Sequence, residues 1–394
     1  MSSRGSTPAL LALALGYFTL GTTSLAVVGL SAPMGDGLDV APARIGLQVT
    51  VFALAFAIAA PLAPMALGRM GRKQVLLLGM ALLTAGSVAA ALAPDYAFLT
   101  GARVVAALGA AIFGPASSAA GSLIVPEERR QQALAVVFGG MTAASVLGVP
   151  LASFLGDVLG WRQALIGVAV LSGVALVGVA VLMPGLDPGP RPTPAAYRGV
   201  LATPGALPTV GTTLLFMAAQ FTVYGIAGAY VADRFDASSG YVTATLLAFG
   251  IVGVLGNGFA GRATRAIGTT RTVSLTVAGV AVAFAALLAV PDAAIGGLLL
   301  FALWAFFSQL YQAPQQARLV ALLPEQRGLL LALNASALYL GMSLGSFIGS
   351  TGLPAWGSGI LPAAGLVLLL FAGATHYLSV RKAETAPRPV PVSS

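Results

Sequence analysis

Runs of about twenty apolar residues recur along this chain with scarcely a charge inside them, and this limits the fold more than any other feature. At 1.5 Å per residue, about twenty helical residues cross a hydrocarbon core of about 30 Å. Only 8% of the 394 residues are charged and 58% are hydrophobic, whereas soluble domains carry about 25% charge. The chain therefore reads as an integral membrane protein. Twelve spans are expected near 8–30, 44–67, 73–93, 96–123, 131–156, 161–183, 207–231, 239–261, 270–291, 294–322, 328–352 and 357–380. With the amino terminus inside, the loops on one side hold Arg4, Arg69, Arg72, Lys73, Arg129, Arg130, Arg191, Arg198, Arg262, Arg265, Arg271, Arg327, Arg381, Lys382 and Arg388, fifteen of the twenty basic residues. The other side holds Arg44, Arg162 and Arg234, while Arg103 and Arg318 fall within spans. Basic loops stay cytoplasmic. Both termini are accordingly expected in the cytoplasm, on a multi-pass protein of the plasma (bacterial inner) membrane.

Composition also removes several function classes. With no cysteine there is no disulfide, thiolate nucleophile or cysteine-ligated metal. The net charge of +8 is a topology signal here and not a nucleic-acid footprint. Met1 to Thr7 lacks the flank and cleavage site of a signal peptide, so the first run is expected to be retained. The longest break, Pro184 to Ala206, is rich in Pro and Gly and reads as a linker. The halves it separates echo each other. Gly71 and Gly268, like Pro94 and Pro291, lie 197 residues apart, and Pro126-Glu127 with Arg129 matches Pro324-Glu325 with Arg327 at 198. The expected fold is all-α and membrane-integral, with twelve transmembrane helices in two parallel six-helix repeats: 1–183, a cytoplasmic linker 184–206, then 207–380 and a disordered cytoplasmic tail 381–394.

Within the fifth run, Gly140, Ala144, Gly148, Ala152 and Gly156 recur every fourth residue and Pro150 interrupts the helix. The strip invites close approach by a neighbour, and Pro150 removes a backbone hydrogen bond. Such spacing also serves ordinary packing between membrane helices. The sequence Gly148-Val149-Pro150-Leu151, Leu155-Gly156 and Gly160-Trp161-Arg162 resembles the fifth-span antiporter motif of the major facilitator superfamily, in the arabinose-efflux-like branch of its drug:proton antiporters. Arg69, Gly71, Arg72 and Lys73 resemble the superfamily's loop between spans 2 and 3, although Pro64 and Gly68 stand where Gly and Asp are usual. Gly256-Asn257 with Gly261-Arg262, and Asn334-Ala335-Ser336 with Gly341, Gly345 and Gly349, resemble further signatures of that branch. The resemblance implies alternating access, with Gly148, Pro150 and Gly156 as a pivot and Arg69, Gly71, Arg72 and Lys73 at the inner gate.

Arg103 lies seven residues into its span, about 10 Å deep, and with Leu99 matches the superfamily's fourth-span motif. It either serves substrate or proton coupling, or it snorkels outward or pairs with a helix-end carbonyl. Tyr17, Gln48, Gln220, Tyr224, Asn257, Gln309, Gln312 and Asn334 belong to spans that line the central cavity in the resembled fold, and otherwise act as interhelical hydrogen-bonding glue. Asp36, Asp39, Asp95, Asp157, Asp233, Asp236 and Asp292 gather at the outer ends, with Glu127, Glu128, Asp187, Glu325 and Glu384 inside. No span centre holds a carboxylate, and Ser24 stands where the branch often has an acid. Asp157 and Asp233 are the remaining proton-coupling candidates, unless they are solvated end caps. His376 reads as an interfacial residue and not a proton carrier, because a helix end offers it water.

The expected activity is secondary active transport, export of a small organic solute or drug by antiport. A facilitator or importer of a neutral or anionic solute, without carboxylate-based proton coupling, is the alternative. A channel needs no rocking halves. One terminal histidine with acids in loops offers no metal site, cofactor or acid/base pair for an enzyme. The expected partners are the solute, the lipid bilayer and a proton, with the chain a monomer.

Overall fold

A computed structural model describes residues 6–189, 191–289 and 294–384. Arg4, Pro291, Asp292 and Arg388, together with the expected tail beyond 384, lie outside the described residues. Twelve helices are long and apolar enough to cross a membrane: spans 1 to 12 at Ser6–Gly29, Pro42–Leu67, Arg72–Ala91, Tyr96–Leu123, Glu127–Val158, Trp161–Leu182, Ala206–Tyr224, Ser239–Ile267, Thr269–Ala289, Ile295–Leu322, Arg327–Trp356 and Leu361–Lys382. Local chemistry sets many of their limits. Asp95 caps span 4 by accepting from the Phe98 amide at 2.8 Å, and Ser238 caps span 8, each satisfying an amide the helix leaves open. The last helix continues to Glu384, so Arg381 and Lys382 are helical and not part of an unstructured tail. The linker also departs from a plain loop. Thr193 caps, and Pro194 opens, a helix at Pro194–Ala202 that buries Tyr197 and Val200.

The internal repeat is written into the backbone. Spans 1 and 7 are each followed by a short helix, Ser31–Leu38 and Ala227–Phe235, closed by a left-handed aspartate, Asp39 (φ 53°) and Asp236 (φ 45°). These two are the only non-glycine residues with positive φ among the described residues, and they are 197 positions apart. Gly160 (φ 98°) and Gly357 (φ 76°), at the same offset, turn the chain into spans 6 and 12. Left-handed backbone is costly for L-residues, so paired outliers mark equivalent structure.

Small residues let the helices meet. In span 11, a Cβ at Gly341, Gly345 or Gly349 would overlap the carbonyl oxygens of Leu214, Ala218 and Thr222 in span 7. In span 5, Gly140, Gly148 and Gly156 sit equally close to Ala14, Thr22 and Leu30, at or beside span 1. The small-residue strip of span 5 therefore packs within its own half. Its contact with the other half uses different residues: Ser153 and Thr243 hydroxyls lie 2.9 Å apart, and Gly250 of span 8 fits against the backbone of Ser145 and Val146.

A second seam joins spans 2 and 11. Ser343 donates to the Thr50 carbonyl at 3.0 Å, and Phe56 stacks on Tyr339 with centroids 3.6 Å apart. Gly46 fits against Ile226 and Ser350, and Gly228 against the Val28 carbonyl. All these contacts lie from the middle of the spans toward the end bearing Asp39, Asp157 and Asp236, called here the acidic end. Near the opposite, basic end, the linker joins the halves: Arg191 donates to the Met65 carbonyl at 2.7 Å, while its helix packs on spans 7 and 11.

Candidate functional site

Arg103 is 2% exposed and wholly engaged. Its guanidinium donates to the carbonyl oxygens of Thr23, Ser24 (2.8 Å) and Gln48 (3.4 Å), and lies over the Phe52 ring at 4.6 Å. A planar five-donor fork suits several carbonyls at once. Arg103 thus joins spans 1, 2 and 4 inside one half, and no carboxylate accompanies it there.

Most of the neutral candidates are also satisfied within their own half. Tyr17 donates to the Gly114 carbonyl at 3.0 Å and meets Ser118 at 3.1 Å. Gln48 donates to Thr100 at 2.9 Å. Gln220 accepts from the Trp304 indole at 3.1 Å, and Tyr224 packs edge-on against Trp304 and Phe221. Asn257 is exposed. Two buried amide oxygens, of Gln48 and Gln312, have no partner. An unpaired buried acceptor costs about 1 to 3 kcal/mol, and each of these oxygens can still accept a hydrogen bond.

Gln312 sits at a feature the sequence reading did not anticipate. Span 10 is two helices, Ala294–Gln309 and Gln312–Leu322, with Leu310 and Tyr311 between them. Pro314 supplies the available signal, since a proline has no amide to carry a helix through. Gln309 borders the break against Gly253 of span 8. Span 5 is broken too: a π-turn over Ala144–Gly148 precedes Pro150, an accommodation common near proline and at functional sites. Interrupted spans place backbone and side-chain polar groups at mid-membrane, where transporters bind solutes.

From the break a polar chain runs through the second half. Tyr311 stacks on Phe216 and reaches Thr213 at 3.0 Å; Thr213 donates to Asn334 at 2.6 Å and accepts from Gln315 at 3.2 Å. Arg318 then donates to Gln315 (3.1 Å), to His376 Nδ1 (2.9 Å) and to Ser379 (2.6 Å), and Ser274 meets His376 Nε2 at 3.0 Å. His376 is only 5% exposed. Its expected place in interfacial water is corrected: spans 9 and 10 cover it.

Arg69, Gly71, Arg72 and Lys73, the residues expected at the gate, lie together at the basic end. Arg72 donates through Nε to the Asp187 carbonyl at 3.2 Å, its amide to Leu186 at 3.1 Å, and Gly71 to Gln74 at 3.1 Å. Arg69 is exposed and Lys73 half-buried. The cluster thus holds the linker. Asp157 and Asp233 are exposed, as is every carboxylate whose side chain is described. Among the described residues no group of His, Asp, Glu and Cys could hold a metal.

Two interrupted spans, a twofold repeat of six spans and seams between the halves are the features of a solute transporter of the rocking-bundle type. The sequence profile of the Major Facilitator Superfamily matches residues 11–346, and the chain belongs to that superfamily. It is 30% identical over 378 residues to the "Inner membrane transport protein YdhP" of Escherichia coli (strain K12), covering 95% of this chain and 96% of that protein. It is 29% identical over 381 residues to the "Uncharacterized MFS-type transporter YtbD" of Bacillus subtilis (strain 168), covering 93% and 96%. The crystal structure of a bacterial homologue of the human lysosomal transporter Spinster, in an inward-facing and unoccupied conformation, superposes with a TM-score of 0.72 over 99% of this chain and 100% of that one, at 17% identity. That likeness concerns the fold. The chain is a membrane-embedded secondary transporter of a small solute, working by alternating access.

Proposed function

We propose that the chain exports a small amphipathic organic solute, uncharged or anionic, from the side of its basic loops by antiport. The charge inventory carries this reading: every described carboxylate is exposed, while the cations drawn deepest into the spans are Arg103 and Arg318. A cationic solute finds no fixed negative charge there. Export is supported by the motifs shared with the arabinose-efflux-like branch, while the seams closed toward the acidic end are the arrangement of an inward-facing carrier. The gate role of Arg69, Gly71, Arg72 and Lys73 rests on the hold of Arg72 on the linker, and that of Gly148, Pro150 and Gly156 on the π-turn that ends at Gly148. Facilitated movement without proton exchange is the second reading, favoured by the same lack of buried carboxylates.

Counterflow in proteoliposomes with a solute panel, with and without an imposed pH gradient, tests both. Anionic and neutral amphiphiles are expected to compete for counterflow, quaternary ammonium compounds are not, and a gradient is expected to drive accumulation. Competition by the cations alone overturns the solute class. Accumulation indifferent to the gradient overturns antiport in favour of facilitation.

A further inference from the structure

The antiport reading lacks a carrier for the proton, and the polar chain of the second half contains one titratable group that no catalogue of carboxylates reveals. His376 stands between Arg318 Nη1, 2.9 Å from Nδ1, and Ser274 Oγ, 3.0 Å from Nε2. A guanidinium only donates, so Nδ1 must accept and the ring proton must sit on Nε2. Ser274 completes the pattern by accepting from Nε2 and passing its own hydrogen toward the Thr270 carbonyl. The geometry therefore holds a neutral imidazole of one tautomer.

We infer that His376 is a proton-binding site whose occupancy at Nδ1 displaces Arg318 and so releases the polar chain beside the break in span 10. A proton on Nδ1 turns its contact with Arg318 into two donors and two positive charges at hydrogen-bond distance. Like charges this close repel strongly in a low-dielectric interior. Arg318 is then pushed from Nδ1, and with it go the bonds to Gln315, which itself holds the Thr209 carbonyl at 2.8 Å and Thr213. Thr213 ties Tyr311 of the interrupted span to Asn334 of span 11. Spans 7, 9, 10, 11 and 12 are thus joined through one protonation event.

The charged and titratable surroundings are few. Span 10 contributes Arg318, and Tyr311 one step further through Thr213. Span 9 contributes the Ser274 hydroxyl and the Thr270 carbonyl, with Arg271 exposed near its end; span 7 contributes Thr212, bonded to Thr375; and span 12 itself carries Tyr377, Arg381 and Lys382. No described carboxylate takes part in the chain of bonds around His376. Access comes from the flank: His376 and Ser274 line a groove of about 470 Å³ between spans 9 and 12, extending to Thr270 and Val380 at the basic end. A proton from that side reaches the ring without crossing the seam between the halves.

This inference rests on the antiport reading for its role in transport, and the experiment separates the two. His376 is the only histidine, so nitrogen-15 labelling of histidine in the reconstituted protein reports one ring. The Nε2–H tautomer is expected at pH 7, and in Arg318→Gln the titration curve is expected to shift by about one pH unit or more. The Nδ1–H tautomer, or a curve indifferent to Arg318→Gln, overturns the site. In proteoliposomes, the ratio of gradient-driven accumulation to counterflow is expected to fall about tenfold or more in His376→Gln. An unchanged ratio overturns its coupling role. A wild-type protein that performs counterflow but ignores the gradient defeats antiport and the coupling role together, while the labelled ring still decides whether the site binds a proton against Arg318.

Discussion

A methyl group added at Gly140 would meet the Ala14 carbonyl oxygen of span 1, whereas one added at Gly139 meets nothing within 4 Å. Backbone cannot yield as a flexible side chain does, so Gly140→Ala is expected to lower stability by about 1 to 3 kcal/mol. Gly139→Ala is expected to be neutral or stabilising by up to about 1 kcal/mol, since alanine is the better helix former. Thermal unfolding of the two variants in detergent checks this, and equal losses would refute the packing of span 5 on span 1. Arg103 belongs to the same scale. It holds carbonyls of three residues on two neighbouring spans, so Arg103→Gln is expected to cost about 2 kcal/mol or more of stability, with Arg103→Lys recovering part of it. A variant that unfolds normally yet loses solute affinity would return Arg103 to the binding site. The burial of Arg103 was legible in the sequence because a charge inside a span has few places to go. Its partners were not, because backbone carbonyls leave no trace in residue identity. His376 was misread for a related reason: distance from a helix end says nothing of which other helices cover it.

Among the elements, most span limits followed from hydropathy, because about twenty apolar residues in lipid have one backbone solution. Span 7, however, stops at Tyr224 before a separate short helix and not at 231, and span 8 runs on to Ile267 and not 261. The breaks were only half legible. Pro150 announced a disturbance in span 5, though not that it takes the form of a π-turn, and Pro314 stood unremarked in a run of glutamines. The linker was read as loop from composition, yet Thr193 and Pro194 are a helix start in miniature. Its attachment to span 2 carries a prediction. A Cβ on Gly68 would lie 2.8 Å from the Pro64 carbonyl oxygen and 3.0 Å from Arg191 Cβ and Cγ, so Gly68→Asp crowds the backbone there and brings a carboxylate next to the Arg191 side chain. The added ion pair is expected to fasten the linker to span 2 and to slow labelling of single cysteines placed along the basic end. Labelling rates that match the parent protein would show that the linker does not restrain that end.

For the molecule as a whole, the spacing of 197 residues was legible from a few glycines and prolines, and the left-handed aspartates and the paired glycines before spans 6 and 12 extend it. What the repeat could not tell was how the two copies differ. Spans 4 and 10 are equivalent and each holds an arginine, but Arg103 is buried near the acidic end and Arg318 half-buried near the basic end. The seam between halves offers a direct test of alternating access. The chain has no native cysteine, and Ser153 and Thr243 approach to 2.9 Å across it. The pair Ser153→Cys with Thr243→Cys is expected to form a disulfide under mild oxidant, to arrest transport, and to recover on reduction. Full transport with the disulfide complete would exclude separation of the halves at that seam. The matched aspartates have a practical meaning for anyone who must purify this protein. Asp39 and Asp236 each occupy a conformation that glycine adopts freely, so Asp39→Gly and Asp236→Gly are expected to raise thermal stability, by about 1 kcal/mol apiece at most. Duplication has in this way left two equivalent handles for engineering a sturdier carrier, both at the acidic end and away from the breaks within spans 5 and 10.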